Sequence, residues 1–327
     1  MISTAADGNG GRLWAISKKA LYKATDAGAA AGSSQTVPVL DVPLGAKVDG
    51  YPPNALQPAV TSPGAAYPAN KEYFLSTPDF NSFAGAGGSG ARSVLLWTLS
   101  NTSSLNSAHP ALTLTRARLS SQRYSPPPAV AQKPGRIPLG TELDEPENKL
   151  QANDDRMQQV VYAGGKLYST LSTGLGTKGK ANRVGAAWFQ VSPSAGTRGA
   201  VTAQGYVSVS GASFMFPAIS VTASGLGAIV GSYSGPKSFP SAAFVRFAAG
   251  HPTGPVVING PGASPEDGAT CYEAFFGDAA ENGCRWGDYS AAVAEDAHHL
   301  VMATELIANV PRSDLMNWDT LVSRISN

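Results

Sequence analysis

Charged residues are scarce in this chain, at 14% of its 327 residues, whereas soluble globular domains usually carry about 25%. The net charge is only +1, and no stretch of the sequence clusters Lys and Arg. A nucleic-acid partner requires a positively charged surface that neutralises phosphates. The composition therefore argues against nucleic-acid binding.

Long apolar runs are also missing. No uninterrupted apolar stretch approaches the roughly 20 residues that a membrane-spanning helix needs, so the sequence predicts no membrane span. Segment 1–11 has neither the basic start nor the apolar run of a secretory signal. The four histidines show no zinc-binding spacing such as H-x-x-x-H, which argues against a zinc site.

Glycine (36) and proline (24) are abundant, and they cost roughly 1 and 3 kcal/mol in helix interiors. Short β-type runs recur instead, and four units share one internal order. Each has an apolar strand, a turn, a second strand that ends in a polar residue, and a third strand. The four units are 57–60, 72–77 and 93–100; 157–162, 166–173 and 184–191; 216–221, 226–233 and 242–247; and 288–293, 299–305 and 320–325.

This repetition predicts an all-β protein, a β-propeller that spans residues 1–327 as a single domain. Units about 60–100 residues apart are typical of propeller blades with variable loops, because each small sheet buries its faces only against its neighbours. A β-sandwich would also contain many short strands, but it would not explain the repeated order. With the start of the chain included, about five blades are recognisable.

The first of these blades is incomplete. Residues 12–17 (RLWAIS) resemble a third strand and residues 37–42 (VPVLDV) an outer fourth strand, with no clear first or second strand. Half a blade would leave exposed sheet edges, which proteins generally avoid. Either the ring closes with strands from both ends of the chain, or the chain began further upstream. We favour an N-terminal truncation.

A long segment, 124–153, separates the first complete unit from the second. It contains three consecutive prolines at 126–128 and an acidic stretch at 142–147, and it is too long for a hairpin connection. Loops of such length are usually functional or disordered. We expect it either to cover one end of the propeller as a lid or to pack as a surface excursion, and we slightly favour the second.

Only two cysteines are present, Cys271 and Cys284. A disulfide between them would stabilise the fold by roughly 3 kcal/mol through the restricted unfolded chain; the alternative is two reduced, half-buried thiols. Because disulfides form in oxidising compartments, the pair favours a secreted or cell-surface protein whose export signal lay upstream of residue 1.

Segment 284–290 (CRWGDYS), followed by 303–305 (ATE) and 317–319 (NWD), resembles exported bacterial β-propeller proteins of mostly unassigned function. The resemblance covers nearly the whole chain from residue 12 onward and implies an extra N-terminal strand pair that is absent here. It also implies a sialidase-type architecture, although the sialidase pattern S-x-D-x-G-x-x-W does not occur, which argues against sialidase activity. Further similar segments are 73–76 (YFLS), 99–105 (LSNTSSL), 155–159 (DRMQQ) and 239–243 (FPSAA).

Acidic residues at strand ends are the candidates for chemistry, because the inner strands of a propeller surround a central channel. Two arginines and a tyrosine lie beside them in the sequence, and the arginines could clamp an anionic substrate. The predicted catalytic residues are Glu72, Asp154, Asp288 and Glu305, and the predicted substrate-binding residues are Asp155, Arg156, Arg285 and Tyr289.

Three roles are compatible with this set. The carboxylates could hold Ca²⁺, which takes six to eight oxygen ligands and would polarise an ester, lactone or phosphoester oxygen. Two carboxylates at the required separation could instead act as acid and base on a glycosidic bond. In the structural alternative, the aspartates accept backbone N–H bonds in turns and the arginines are their partners.

The sequence therefore leaves three functions open. The first, towards which we lean, is a hydrolase with a polar central site, with or without calcium. The second is a non-catalytic propeller that binds a glycan or a protein at the cell surface, and the third is a structural or assembly module. The expected partner is a small molecule or a glycan, and the oligomeric state is not predicted.

Overall fold

Strands dominate the computed structural model, which describes residues 2–4, 11–26, 39–43, 54–78, 90–177, 180–194, 196, 198–277, 279 and 283–326. Two α-helices are described, α1 (Lys18–Asp26) and α2 (Pro138–Leu143), together with 3-10 helices at Thr102–Asn106 and Ala269–Cys271. The strands are β1 (Ile2–Thr4), β2 (Gly11–Ile16), β3 (Val39–Pro43), β4 (Asn54–Thr61), β5 (Lys71–Thr77), β6 (Ala91–Ser100), β7 (Thr113–Tyr124), β8 (Gln159–Ala163), β9 (Lys166–Thr177), β10 (Lys180–Ser192), β11 (Ala200–Val207), β12 (Ser213–Val221), β13 (Gly227–Gly235), β14 (Ser238–Ala248), β15 (His251–Gly260), β16 (Ala291–Ala294), β17 (His299–Leu306) and β18 (Asp319–Ser326).

The strands form the five blades of an all-β propeller, which confirms the predicted fold class. Blade I consists of β1–β3, blade II of β4–β7, blade III of β8–β11, blade IV of β12–β15 and blade V of β16–β18. Blades II and III share one eight-stranded sheet, because their innermost strands β4 and β8 run parallel and pair over 59–61 and 160–162. Inner strands that run in the same direction around one axis are what a propeller requires.

Each pair of blades that are consecutive in the sequence encloses a hydrophobic core, as the repeated apolar strands predict. β12 (SFMFPAISV) is buried along its whole length because it lies between two other blades. β18, in contrast, alternates half-buried and exposed residues. Members of these cores are Leu13 and Trp97 between blades I and II, Leu96 and Phe189 between II and III, Trp188 and Phe214 between III and IV, and Val230 and Leu300 between IV and V.

The outer strands β7, β11 and β15 were not predicted. Most of their side chains are half-buried or exposed, so they lack the continuous apolar run that identifies an inner strand. β15 even contains Pro252, Gly254 and Pro255, which sheets tolerate at an edge. Their polar residues and prolines therefore prevented the recognition of these strands from the sequence.

Blade I contains the two strands expected from the sequence. β2 covers residues 12–16 of the segment assigned to a third strand. β3 covers residues 39–42 of the segment assigned to an outer strand, while residues 37 and 38 lie outside the described ranges. β1 pairs with β2 on the side opposite to β3. A strand at 2–4 was not predicted, because three residues carry too little periodicity to be recognised.

Segment 124–153 packs closely on the propeller. Val130 and Leu150 pair as an isolated antiparallel bridge, and Leu150 also pairs with Cys284. Val130, Leu139 and Leu150 are buried in one cluster with Phe216, which belongs to the innermost strand of blade IV. The segment thus forms a packed layer at the end of the ring where β12 begins.

Cys271 and Cys284 form the predicted disulfide, 13 residues apart in sequence. Both sulfurs belong to the buried cluster beneath segment 124–153. A loop of this length is expected to gain about 3 kcal/mol from the cross-link. The bond holds together the two chain segments that flank the site described below.

No helix among the described residues has the length and apolar character that crossing a membrane requires.

Candidate functional site

A groove of about 720 Å³ opens at the end of blade V. Its walls are formed by residues 266–270, by 285–291, by 303–305 at the end of β17, and by 315–320. β16 begins at this end of the blade. Two glutamates, Glu266 and Glu305, lie in the walls, and we refer to the whole as the carboxyl groove.

The disulfide fixes two of these walls. Cys271 directly follows the 266–270 wall and Cys284 directly precedes the 285–291 wall. The Cys284 N–H donates to the Lys149 carbonyl (2.6 Å), and the Gln151 N–H donates to the Cys284 carbonyl (2.8 Å). Segment 124–153 therefore supports the groove from behind.

Glu305, predicted as catalytic, lies in the groove near the end of β17. Burial and the negative charge of Asp288 raise the pKa of its carboxyl to about 7, and the backbone N–H of Gly287 offsets part of this shift. Glu305 Oε2 is buried and has no hydrogen-bond partner within the described ranges. A side chain at position 287 would come within 2.8 Å of this oxygen, and the backbone there has a positive φ of 51°, so glycine is required at this contact.

Glu266 was not predicted, and it is the more deeply buried of the two glutamates, with 2% of its surface exposed. Burial is the main reason that its pKa rises to about 8, and the charge of Glu305 adds to the shift. Its Oε1 accepts the Gly268 N–H at 3.0 Å, whereas Oε2 has no partner among the residues described. The sequence around Glu266 (SPEDG) predicts only a polar turn, because no residue in this segment indicates that the glutamate is buried.

Asp288 and Arg285 lie together in the same groove wall. The Arg285 Nη2 donates to Asp288 Oδ2 at 2.7 Å, and the Asn153 amide donates to Asp288 Oδ1 at 3.2 Å. Both carboxylate oxygens of Asp288 are therefore engaged. Its charge acts on Glu305 electrostatically, and its hydrogen bonds join blade V to the segment that precedes blade III.

Asp154 and Arg156 form a bidentate ion pair just before β8. Arg156 Nε and Nη2 donate to Asp154 Oδ1 and Oδ2 at 2.7 and 2.6 Å. Although burial disfavours the charged form, the hydrogen bonds and charge of Asp154, with contacts to Tyr289, raise the pKa of Arg156. Arg156 thereby reaches a residue of the groove, whereas Asp155 is fully buried beside it. These groups match the structural alternative, in which the arginine is the partner of the aspartate.

Gln159 connects blade III to blade V. Its side-chain amide donates to the Ala292 carbonyl at 2.5 Å and accepts the Ala292 N–H at 3.2 Å. A side chain of innermost strand β8 thus satisfies the backbone of innermost strand β16, two blades away. These two hydrogen bonds tie the innermost strands of blades III and V together.

Glu72 does not join the other predicted residues. It lies at the beginning of β5, opposite the end of β4, and the end of β4 runs beside the end of β8. Asp154 precedes β8, so the two carboxylates are at opposite ends of the ring. Glu72 accepts a hydrogen bond from the Tyr67 hydroxyl at 3.0 Å, and burial raises its pKa.

Asp267, another residue absent from the predicted set, anchors the groove. Its carboxylate accepts the Leu139 and Gly140 N–H groups at 3.0 Å each, at the beginning of α2. It also accepts hydrogen bonds from the Tyr272 hydroxyl and the Arg312 guanidinium. With all these partners Asp267 is a structural anchor that fixes its neighbour Glu266.

Aromatic and apolar side chains form the rim of the groove. Trp318 is 49% exposed and Tyr289 is 55% exposed, with Leu315 and Met316 beside them. Trp286 is instead 2% exposed, and its Nε1 has no hydrogen-bond partner in the part of the chain that the structure describes. The groove thus combines an apolar rim with buried polar atoms that have no partner among the described residues.

The sequence left open that carboxylates at the strand ends hold Ca²⁺. Among the described residues, a group of three potential ligands close enough to share an ion occurs only at Glu295, Asp296 and His299. These residues are in the turn between β16 and β17, at the opposite end of blade V. Asp296 there already accepts the N–H groups of His298 and His299 at 2.7 and 2.9 Å.

No protein-family model and no curated protein matches this chain, so the function must be inferred from the residues of the carboxyl groove.

Proposed function

We propose that this propeller is a hydrolase that uses Glu266 and Glu305 as an acid–base pair. The observation that supports this proposal is that two carboxyl groups line one groove with pKa values raised to about 8 and about 7. Each also has one buried oxygen without a partner among the described residues. Strongly shifted carboxyl groups in a concave site are the usual mark of acid–base catalysis.

The difference in burial assigns the two roles. Glu305 loses its proton first, and as a carboxylate it accepts a proton from a water molecule, whose oxygen attacks the electrophilic carbon or phosphorus of the substrate. Glu266 keeps its proton to higher pH and donates it to the leaving oxygen as that bond breaks. One water is consumed, and the proton gained by Glu305 returns to Glu266 through solvent before the next turnover.

Asp288, Asp154 and Arg156 support this pair. The charge of Asp288 helps to raise the pKa of Glu305, and its salt bridge to Arg285 holds it in place. The Asp154–Arg156 pair reaches Tyr289 at the rim. We assign these residues to positioning, and Glu266 replaces Asp288 as the partner of Glu305.

The proposed mechanism predicts a narrow optimum of kcat/KM between about pH 7 and pH 8. Activity rises as Glu305 ionises and falls as Glu266 ionises, so the limbs of the profile follow pKa values of about 7 and about 8. The measurement is the rate of release of 4-nitrophenol from a panel of 4-nitrophenyl glycosides, 4-nitrophenyl acetate and bis(4-nitrophenyl) phosphate.

Asp288→Asn serves as the matched control for this profile. Removal of the negative charge beside Glu305 should lower its pKa and move the acidic limb to lower pH, while the alkaline limb stays in place. A profile that is flat from pH 5 to 9, or limbs unaffected by this variant, would contradict the assignment.

A second candidate function is non-catalytic binding of a glycan, which the exposed aromatic rim favours. It predicts binding that survives the loss of either glutamate and no hydrolysis of any compound in the panel. We also propose that the protein acts outside the cell, because its disulfide requires an oxidising compartment to form.

A further inference from the structure

We propose that the carboxyl groove binds a neutral carbohydrate, with Trp318 as the surface on which a sugar ring stacks and with Trp286 and Glu266 as hydrogen-bonding partners of its hydroxyl groups. This inference names a substrate class for the proposed hydrolase and rests on the same site, but binding can be tested without catalysis.

The unpaired polar atoms of the groove define what a ligand must offer. Trp286 Nε1 can only donate a hydrogen bond, and it has no acceptor among the described residues. Glu266 Oε2 and Glu305 Oε2 also lack partners there, and a protonated carboxyl both donates and accepts. A ligand that reaches these atoms must carry both donors and acceptors. Hydroxyl groups, which are both at once, meet this requirement.

The rim supplies the apolar half of the interaction. Trp318 exposes 49% of its surface at the edge of the groove, next to Leu315 and Met316. Indole presents an electron-rich face, and one face of a pyranose ring presents a layer of C–H groups. A sugar can therefore stack on Trp318 while its hydroxyl groups point towards the carboxyl groups.

Trp318 is held in place by its neighbour in the sequence. The Asn317 amide donates to the Pro265 carbonyl at 2.8 Å, and Asn317 Oδ1 accepts the Asp267 N–H at 3.1 Å. These two bonds join the rim to the wall that carries Glu266. The stacking surface and the carboxyl group thus keep a fixed separation, which lowers the entropic cost of binding a rigid ring.

The charges of the groove favour a neutral ligand. Glu305, whose pKa is about 7, repels an anion when it is ionised, and Arg285 and Asp288 pair with each other at 2.7 Å, so their opposite charges largely offset each other. Glu266 is protonated below about pH 8, so it contributes no charge that would attract a cation at neutral pH. Sugars without carboxylate, sulfate or amino groups suit this balance.

The test uses the Glu305→Gln variant, which is expected to bind without hydrolysing. Tryptophan fluorescence and calorimetric titrations are carried out with cellohexaose and maltohexaose as neutral probes, trigalacturonic acid as an anionic probe and chitosan hexamer as a cationic probe. We expect at least one neutral probe to bind and both charged probes to bind at least tenfold more weakly.

Trp318→Ala in the same background should weaken neutral binding at least tenfold, and Trp318→Phe should restore part of it. Phe276→Ala, which removes an exposed aromatic ring outside the groove walls, is the matched control and should bind as before. Tighter binding of a charged probe, no binding of either neutral probe, or binding that is indifferent to Trp318→Ala would overturn the inference. If a neutral probe binds but the wild-type protein hydrolyses none of the compounds, the carbohydrate inference stands and the proposed hydrolase is rejected.

Discussion

Replacement of Glu305 by Gln is expected to lower kcat/KM by about 10³-fold, since a positioned general base typically contributes 10²–10⁴. The change is nearly isosteric and removes the proton acceptor while the amide keeps the volume of the side chain. Glu305 Oε2 has no partner among the described residues, and the amide oxygen of Gln can still accept the backbone N–H of Gly287 that lowers the pKa of the native carboxyl. The measurement is steady-state hydrolysis of whichever chromogenic compound the wild-type protein cleaves fastest.

Glu295→Gln is the matched control for this substitution. Glu295 is an exposed glutamate at the opposite end of blade V, paired with Arg324 at 2.7 Å, and its loss should leave kcat/KM within about twofold of wild type. A Glu305→Gln protein that is folded by circular dichroism and retains more than a tenth of wild-type activity would show that Glu305 is not the base.

The stability of the protein should fall as the pH rises from about 5 to about 8, and Glu266 should be a principal cause. Its pKa is about 8 in the folded protein against an ordinary value of 4.5, so the folded state keeps a proton that the unfolded chain releases. When the folded state binds more protons, the free energy of unfolding decreases with increasing pH. Across this range Glu266 alone should account for roughly 3–5 kcal/mol, and above pH 8 its contribution levels off.

Urea unfolding at a series of pH values measures this effect. In Glu266→Gln the decrease in the free energy of unfolding between pH 5 and 8 should be smaller by those few kcal/mol. The variant should therefore gain stability relative to the wild-type protein at alkaline pH. Glu273→Gln, at an exposed position in the same loop, should reproduce the wild-type slope. Equal slopes in wild type and Glu266→Gln would mean that Glu266 does not hold a proton in the folded state.

The sequence predicted the blades because strand order and apolar runs repeat. Each three-strand unit lies within one sheet, and the CRWGDYS segment lies beside Glu305, as the clustering of charges at strand ends suggested. The reason is topological: Ala291 pairs with Ala303, so residues that precede β16 must lie next to residues at the end of β17. Register of this kind follows from alternation in the sequence.

Glu266, Asp267 and Glu72 show what the sequence could not provide. Glu266 and Asp267 lie outside any strand, and their burial depends on packing between segment 124–153 and the long connection from β15 to β16, which contains the disulfide. Glu72 begins a second strand instead of ending one, which places it at the opposite end of the ring from Asp154. The direction of a strand decides at which end of the ring its first and last residues lie. A residue near a strand end in the sequence can therefore lie at either end of the ring.

A ¹³C NMR titration of the side-chain carboxyl groups, with Glu labelled selectively, tests the central claim most directly. We expect two glutamates in the wild-type protein whose carboxyl ¹³C chemical shifts both change between about pH 6 and pH 9. One of these resonances should be lost in Glu266→Gln and the other in Glu305→Gln. If every glutamate signal completes its titration below pH 6, the carboxyl groove holds ordinary carboxylates and the acid–base pair does not exist.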